Sequence, residues 1–288
     1  MPVAVLIVNY KSYSHLATCL ESLGAALGPH DEVVVVDNES QPDALQSVCK
    51  RHPQVRFVAV ADNLGFAAGV NLAARQTSAR YLLLLNPDAQ VLGPLVWTLE
   101  GYADAHPDVA VVAPRIENAD GTVQPSARRD PGPTTIFGAR SAWLTRVFPN
   151  NWFAAHNFMG LNAMGPRDVD WVTGACLMVR REVFEALGGL DPGFFMYWED
   201  ADFCRRVRAV GRRVVYLPIT LVQHLVGGSS SSAPSRNILL FHRSALRLYL
   251  KHAGPIEWGL VPFAVAALAL RWGIYMVRAA LLAPPGDH

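Results

Sequence analysis

Tyr81-Leu82-Leu83-Leu84-Leu85-Asn86-Pro87-Asp88 is the stretch on which the fold turns. Five apolar residues in a row are too few for a typical helix and leave no polar face, so Tyr81 to Leu85 reads as a strand buried on both sides. Asn86-Pro87-Asp88 then sets a carboxylate just beyond the strand's end. Outward from here the pattern repeats. Val3 to Val8 is another apolar, β-branched run, and Ser14 to Leu27 has helical spacing with Leu16, Leu20, Leu23 and Leu27 on one side. Glu32 to Val36 and Val55 to Val60 read as strands. Asp43 to Arg51, Ala67 to Gln76 and Gly93 to His106 read as helices, and Val109 to Val112 as a further strand. Strand–helix units with wholly apolar strands predict an α/β domain whose parallel sheet is covered by helices on both faces.

In such sheets ligands bind beyond the carboxyl ends of the strands. The polar residues there are Asn9, Asp37, Asn38, Asn63 and Asp88. Turn chemistry alone could explain any one of them. One at each of four successive strand ends favours a shared crevice. No Gly-x-Gly-x-x-Gly follows the first strand and no Gly-x-x-x-x-Gly-Lys-Ser/Thr occurs, which removes the dinucleotide and P-loop readings.

A second acidic element follows an aromatic run: Phe194, Phe195, Met196, Tyr197, Trp198, Glu199, Asp200, Ala201, Asp202. Carboxylates in apolar surroundings need a cation, a metal or a proton. The cluster reads either as a working site or as the acidic first turn of a helix from Ala201 to Ala209; the carboxylate at Asp88 tips the reading towards chemistry. Residues 115–168, rich in Pro, Gly, Asn and Arg, read as loops over the crevice. Arg128 and Arg129 there read as solvated rather than as phosphate contacts. Trp171 to Val179 reads as a strand, Arg181 to Leu187 as a helix closed by Gly188 and Gly189, and Val214 to Leu217 as a strand leading to His224. Gly227 to Ser232 reads as a lid or a linker.

The 288 residues are 51% apolar with a net charge of +1, unevenly spread. Residues 1–202 carry 14 basic and 22 acidic side chains, whereas residues 203–288 carry 11 and 2. A basic C-terminal segment implies an anionic partner, a lipid head group or a diphosphate; no recognised nucleic-acid motif accompanies it. Ser235 to His252 is amphipathic, with Arg236, Arg243, Arg247 and Lys251 near one face and Leu239, Leu246 and Leu250 away from it. Ile256 to Leu282 is strongly apolar but broken by Arg271 and Arg278. Its longest uncharged run, Trp258 to Leu270, is too short to span a bilayer, so a helix lying in the membrane interface is expected, with a core helix or a tilted span as alternatives. Cys19, Cys49, Cys176 and Cys204 form no Cys-x-x-Cys pair and read as thiols in a reducing compartment, and the N-terminus lacks the basic region of a signal peptide.

The chain resembles glycosyltransferase family 2, the inverting GT-A enzymes, and its rhamnosyltransferase-like members. The segments that carry the resemblance are Val8-Asn9-Tyr10, Val36-Asp37-Asn38-Glu39-Ser40, Asp62 through Asn71, Leu84 through Ala89, Thr173-Gly174-Ala175 and Gly188 through Asp202. It covers residues 3–225 and implies a GT-A fold: a Rossmann-like, mostly parallel sheet with helices on both faces, with residues 1–114 binding the nucleotide sugar and 115–234 forming the acceptor-binding and catalytic half. Residues 235–288 are left as a helical membrane-associating tail. Asn9, Asp37, Asn63, Asn86 and Asp88 would bind the donor. Asp88 would hold a divalent cation, Mg²⁺ or Mn²⁺, with His224 completing the shell. Asn86 replaces the first Asp of the family's Asp-x-Asp motif, which removes one charge. Asp200 matches the catalytic base, with Glu199 beside it, and the assignment between the two rests on the resemblance. Trp171, Gly174, Trp198 and Asp202 would meet the acceptor, and Phe66 is a further ring for a sugar to stack on. Asp202 could also order the helix start or pair with Arg205 or Arg206.

The resulting expectation is an enzyme moving L-rhamnose from dTDP-rhamnose to a polyprenyl-diphosphate-linked saccharide, at the cytoplasmic face of an anionic membrane, with no nucleic-acid partner. A sugar nucleotidyltransferase is the competing enzyme class, but Asn9-Tyr10-Lys11-Ser12 stands where its Gly-rich basic loop belongs. A non-catalytic sugar-nucleotide or lipid-binding module is the other; it would bind without turnover.

Overall fold

The computed structural model describes residues 2–131, 163–224, 234–259 and 261–282. Gly227 to Ser232, read as a lid or linker, and much of the 115–168 loop region lie outside the described residues. The strands are β1 (Val3–Asn9), β2 (Glu32–Asn38), β3 (Arg56–Val60), β4 (Tyr81–Leu85), β5 (Ala89–Leu92), β6 (Val109–Glu117), β7 (Ala127–Arg128), β8 (Arg167–Asp168), β9 (Trp171–Val172), β10 (Cys176–Arg180) and β11 (Arg213–His224). The helices are α1 (Tyr13–Leu23), α2 (Pro42–Arg51), α3 (Phe66–Ala74), α4 (Leu95–Ala105), α5 (Arg181–Ala186), α6 (Glu199–Ala209), α7 (Pro234–His252), α8 (Pro255–Gly259) and α9 (Val261–Leu282).

Strands run across the main sheet in the order β3-β2-β1-β4-β10-β6-β11-β5, with β8 added on β11, and β7 and β9 pair separately. The apolar runs are explained by burial on both faces. In β1, Ala4, Leu6 and Val8 enter one core with Val70 of α3 and Phe203 of α6, while Val3, Val5 and Ile7 enter the other with Leu16 of α1 and Leu99 of α4. Strand β4 divides the same way, Leu82 and Leu84 against Tyr81, Leu83 and Leu85. Helix α3 lies close on β1: a Cβ on Gly69 would meet the Val8 side chain at 2.8 Å.

Three expectations need correction. The sheet is mixed: β3, β2, β1 and β4 are parallel, but β10 runs antiparallel to β4 and β6, and β5 antiparallel to β11. The apolar run from Trp171 to Val179 is two strands. Thr173, Gly174 and Ala175 interrupt it because their backbone bonds go elsewhere: Thr173 N–H to Ser126 O, Gly174 N–H to the Asp200 carboxylate, and Ala175 O to Asn86 N–H. The strand before His224 starts at Arg213 and runs unbroken to it. Pro218 is absorbed by a register irregularity between Leu217 and Leu221 that turns Ile219 outward.

Helix α7 is amphipathic, but its buried residues are His242, Ser244 and Leu248, and Leu239 is exposed. A helix with polar residues on its buried face needs polar partners there. Ser244 finds one on the loop that leads into α6, and His242 Nδ1 lies 2.6 Å from Ile238 O of its own helix.

Candidate active site

Asn9, Asp37 and Asp88 lie at or just beyond the carboxyl ends of β1, β2 and β4. Asp37, wholly buried at the end of β2, accepts hydrogen bonds from Asn9 Nδ2 (2.7 Å), the Tyr13 hydroxyl (2.9 Å) and Ser40 Oγ (2.5 Å). Three donors leave one of a carboxylate's roughly four acceptor positions. Asn38 and Asn63 bond to each other (2.8 Å), and together they bind the backbone of Leu64 and Gly65, fixing the turn into α3. Gly65 has φ +82°, and a Cβ there would lie 2.4 Å from Phe195 O. The donor-side loop and the 194–202 segment thus touch, joined by Phe66 N–H to Phe195 O at 2.8 Å.

Among the described residues, four non-glycine residues have left-handed backbone: Lys11, Glu39, Tyr197 and Trp198. Lys11 and Glu39 follow β1 and β2 and pair with each other; Tyr197 and Trp198 precede α6. Such backbone costs on the order of 1 kcal/mol per residue and gathers where function requires it.

Pairing of β5 with β11 sets His224 opposite Ala89, next to Asp88. His224 Nε2 lies 3.1 Å from Asp88 Oδ1 and 3.3 Å from Asn86 Nδ2. Its Nδ1 lies 3.2 Å from Gln124 Oε1. Gln124 Nε2 is committed to His224 O and to Asn118 Oδ1, so the Gln124 oxygen faces the ring and accepts the Nδ1 proton. In the neutral ring this leaves the Nε2 lone pair aimed at a carboxylate oxygen. Two electron-rich atoms at that distance call for a positive charge between them, a proton or a cation. The pair therefore fits a divalent metal, with Asn86 able to add only a carbonyl oxygen. Among the described residues no group of three or more His, Cys, Asp and Glu converges, so a cation here would have two charged or imidazole ligands from the protein.

The same peptide run joins this pole to the acidic cluster. Asn86 N–H bonds Ala175 O (2.9 Å), and the neighbouring Gly174 N–H bonds Asp200 Oδ2 (2.8 Å). Asp88 and Asp200, 112 positions apart in sequence, flank one short segment. A Cβ on Gly174 would stand 3.4 Å from the Phe66 ring and 3.7 Å from Asp200 Cβ, so the three are in close contact.

Asp200 Oδ1 accepts the Ala201 N–H at 2.8 Å. Burial raises the Asp200 carboxyl, but these two backbone donors and the charge of Arg128 oppose the rise by favouring the anion. Glu199 has only its own backbone N–H to favour the anion. It is 5% exposed and its Oε2 has no partner. Burial first, and the Asp200 charge second, push it well above the ordinary carboxylate range. The two neighbours are thereby separated: Glu199 favours the neutral acid and Asp200 retains the better-supported anion.

Two residues expected on the acceptor side are engaged within the fold, Asp202 in the pairing with Arg206 that was its alternative reading. Trp171 is not an open platform: it is 6% exposed, with its Nε1–H on Arg129 O (2.7 Å) and the Arg128 guanidinium 5.1 Å from its ring centre. Arg128 belongs to β7 and stacks on Trp171 rather than waving in solvent. Asp202 is wholly buried and faces Arg206 of its own helix and Lys251 and His252 of α7, each at 2.8 Å. Trp198 sits between Trp171 (5.8 Å) and Phe241 (5.2 Å), and its Nε1 is buried without a partner. Tyr13, Gln124 and the α7 residues were not among the expected site residues. Each acts through a long-range contact that no local motif marks.

Comparison with known proteins bears on the family and the fold. The model of the family described as "Glycosyl transferase family 2" matches residues 4–188. An "N-acetylglucosaminyl-diphospho-decaprenol L-rhamnosyltransferase" of Mycobacterium tuberculosis is 32% identical over 96% of this chain and 93% of its own length. Among solved structures, GalNAc-T7 with UDP, GalNAc and Mn²⁺ superposes with a TM-score of 0.61 at 16% identity, over 86% of this chain and 47% of that one, so this chain spans about half its length. A mannosyltransferase from Pyrobaculum calidifontis, in complex with GDP-Man and Mn²⁺, gives a TM-score of 0.58 at 18% identity, over 99% of this chain and 76% of that one. These two likenesses are of fold: a mixed α/β, GT-A-like architecture.

Proposed function

The chain belongs to glycosyl transferase family 2, and from that premise we propose that it transfers L-rhamnose from dTDP-rhamnose, with inversion, to a saccharide carried on a polyprenyl diphosphate. The single observation behind the chemistry is the Gly174–Ala175 run that ties Asn86, two residues before Asp88, to Asp200. The substrates are suggested by the mycobacterial relative's name.

Asp37 offers its remaining acceptor position to the donor's base or ribose, with Asn9 and Asn63 shaping the pocket. Asp88 and His224 are the residues that would hold a divalent cation, Mg²⁺ or Mn²⁺. Such a cation would supply positive charge against the negative charge that grows on the leaving nucleoside diphosphate. Asp200 accepts the proton of the acceptor hydroxyl as that oxygen bonds to the anomeric carbon, while the bond from that carbon to the diphosphate breaks on the opposite side. Glu199 Oε2 and Trp198 Nε1, the buried polar atoms left without partners beside Asp200, suit hydrogen bonds to the acceptor sugar.

An anionic membrane at its cytoplasmic face suits the acceptor and the tail. Trp258, Phe263, Leu270, Trp272 and Ile274 of α8 and α9 are exposed large apolar side chains in the basic part of the chain. No helix among the described residues is long and apolar enough to cross a membrane, so a surface-lying mode is favoured. The test is a panel of nucleotide sugars assayed for transfer to N-acetylglucosaminyl-diphospho-polyprenol. Turnover with dTDP-rhamnose and an inverted linkage are expected. Preference for another donor, or retention, would contradict the reading.

A further inference from the structure

Helix α7 lies beyond the family-model match, yet its contacts run to the segment that carries Asp200. Ser244 Oγ donates to Met196 O at 2.8 Å. The Phe241 ring lies 5.7 Å from Tyr197 and 5.2 Å from Trp198, the two residues held in left-handed backbone. Arg247 and Lys251 reach Asp191 at 3.1 and 2.7 Å. Burial works against the Asp191 anion, but hydrogen bonds from Lys251, the Gly193 N–H and Arg247 outweigh it and hold that carboxyl down at about 2.

The final turn of α7 grips α6 itself. Lys251 Nζ and His252 Nε2 both meet Asp202 Oδ1 at 2.8 Å, and Arg206 Nε meets Oδ2 at 2.8 Å. Arg206 also donates to Leu187 O and Gly189 O, so the cluster spans three stretches of chain. Asp202 is wholly buried and its N–H closes the first turn of α6 on Trp198 O. Asp200 lies in that turn. A buried carboxylate stripped of a partner cannot stay where it is without penalty, and the turn that bears it must shift or take in water.

We propose that Lys251 and His252 are positioning residues for Asp200: through Asp202 they fix the first turn of α6, making α7 a strut of the active site. The proposal rests on the assignment of Asp200 as the base. Without the strut, Tyr197 and Trp198 lose the contacts that offset their backbone strain, and the base swings off its line of approach. A displacement near 1 Å is enough to cost about 10²-fold in rate.

The test uses the full chain in four variants: His252→Ala, His252→Gln, Lys251→Met and Asp200→Asn. Transfer kinetics, donor affinity by calorimetry and thermal unfolding are measured on each. For His252→Ala, kcat should fall about 10²-fold while the donor's dissociation constant holds. His252→Gln, which keeps an N–H donor, should recover most of the loss, and added imidazole should partly rescue the alanine variant. Lys251→Met acts on the same carboxylate and should show the same split between kcat and donor binding, which covers the case of an alanine variant that fails to fold. Parent-like turnover in both His252→Ala and Lys251→Met, with Asp200→Asn inactive, would overturn the strut alone. So would equal losses in the Ala and Gln variants that track lost donor binding. Full turnover in Asp200→Asn would overturn the base assignment and the strut with it.

Discussion

Glu199→Gln probes the electrostatics of the catalytic pair. Glu199 is 5% exposed, its Oε2 has no partner, and burial together with the Asp200 charge raises its pKa well above the ordinary value. A folded state that binds a proton more tightly than the unfolded chain is stabilised by it at low pH. That contribution is present in full below the unfolded pKa, about 4.3 for Glu, and is lost as pH rises towards the folded pKa. Over that window the unfolding free energy of the parent should fall by about 1.4 kcal/mol per pH unit from this one group. Glutamine has the same shape and no proton to lose. It carries a pH-independent cost of about 1 kcal/mol for the altered hydrogen bonding, but no slope. Titrating groups remote from Glu199 are common to both proteins and cancel in the difference, and Asp200 faces an uncharged neighbour in both for as long as Glu199 keeps its proton. Urea unfolding of parent and variant at pH 5, 6 and 7 should show the variant gaining on the parent by about 1.4 kcal/mol per unit across the window. Stability curves that stay parallel over this range would refute the reasoning, because Glu199 would then be ionised in the fold as it is in the unfolded chain.

Other consequences are more local. Gly65→Ala places a Cβ 2.4 Å from Phe195 O at a φ of +82°, so a loss of at least about 2 kcal/mol is expected, read as a lowered thermal midpoint; an unchanged midpoint would contradict the close approach. Gln124→Met removes the acceptor that holds the His224 proton on Nδ1, and should weaken the cation dependence of transfer by about 10–100-fold in affinity, measured by titrating Mg²⁺ or Mn²⁺. Deleting residues 253–288 removes the exposed Trp258, Phe263 and Trp272 but leaves α7 intact. It should abolish cosedimentation with anionic vesicles while soluble-acceptor turnover persists; a truncated protein that still pellets would place the membrane contact elsewhere.

Strands β1 and β4 were legible because burial on both faces leaves runs such as Val3 to Val8 with no polar residue. The polar strand ends at Asn9, Asp37 and Asp88 followed from the same logic. What escaped notice depends on contacts distant in sequence. Strand β5 is only Ala89–Leu92, too short for any periodicity, yet its pairing with β11 delivers His224 to Asp88. The break in the Trp171 to Val179 run is imposed by partners at Ser126, Asn86 and Asp200. Hydrophobic patterning set Leu239, Leu246 and Leu250 away from the basic face of α7, whereas the residues the helix buries include Ser244, whose hydroxyl meets Met196 O. Adjacent carboxylates at 199 and 200 look alike in sequence. Two backbone N–H groups, one of them from Gly174, distinguish them in the fold.

The most direct measurement is single-turnover transfer by Asp200→Asn at saturating donor and acceptor, set beside its donor affinity. Donor binding should stay within about twofold, because Asp37, Asp88 and His224 are untouched, while the transfer rate falls about 10²–10⁴-fold with the loss of a general base. A transfer rate equal to the parent's, with donor still bound, would contradict the account at its centre.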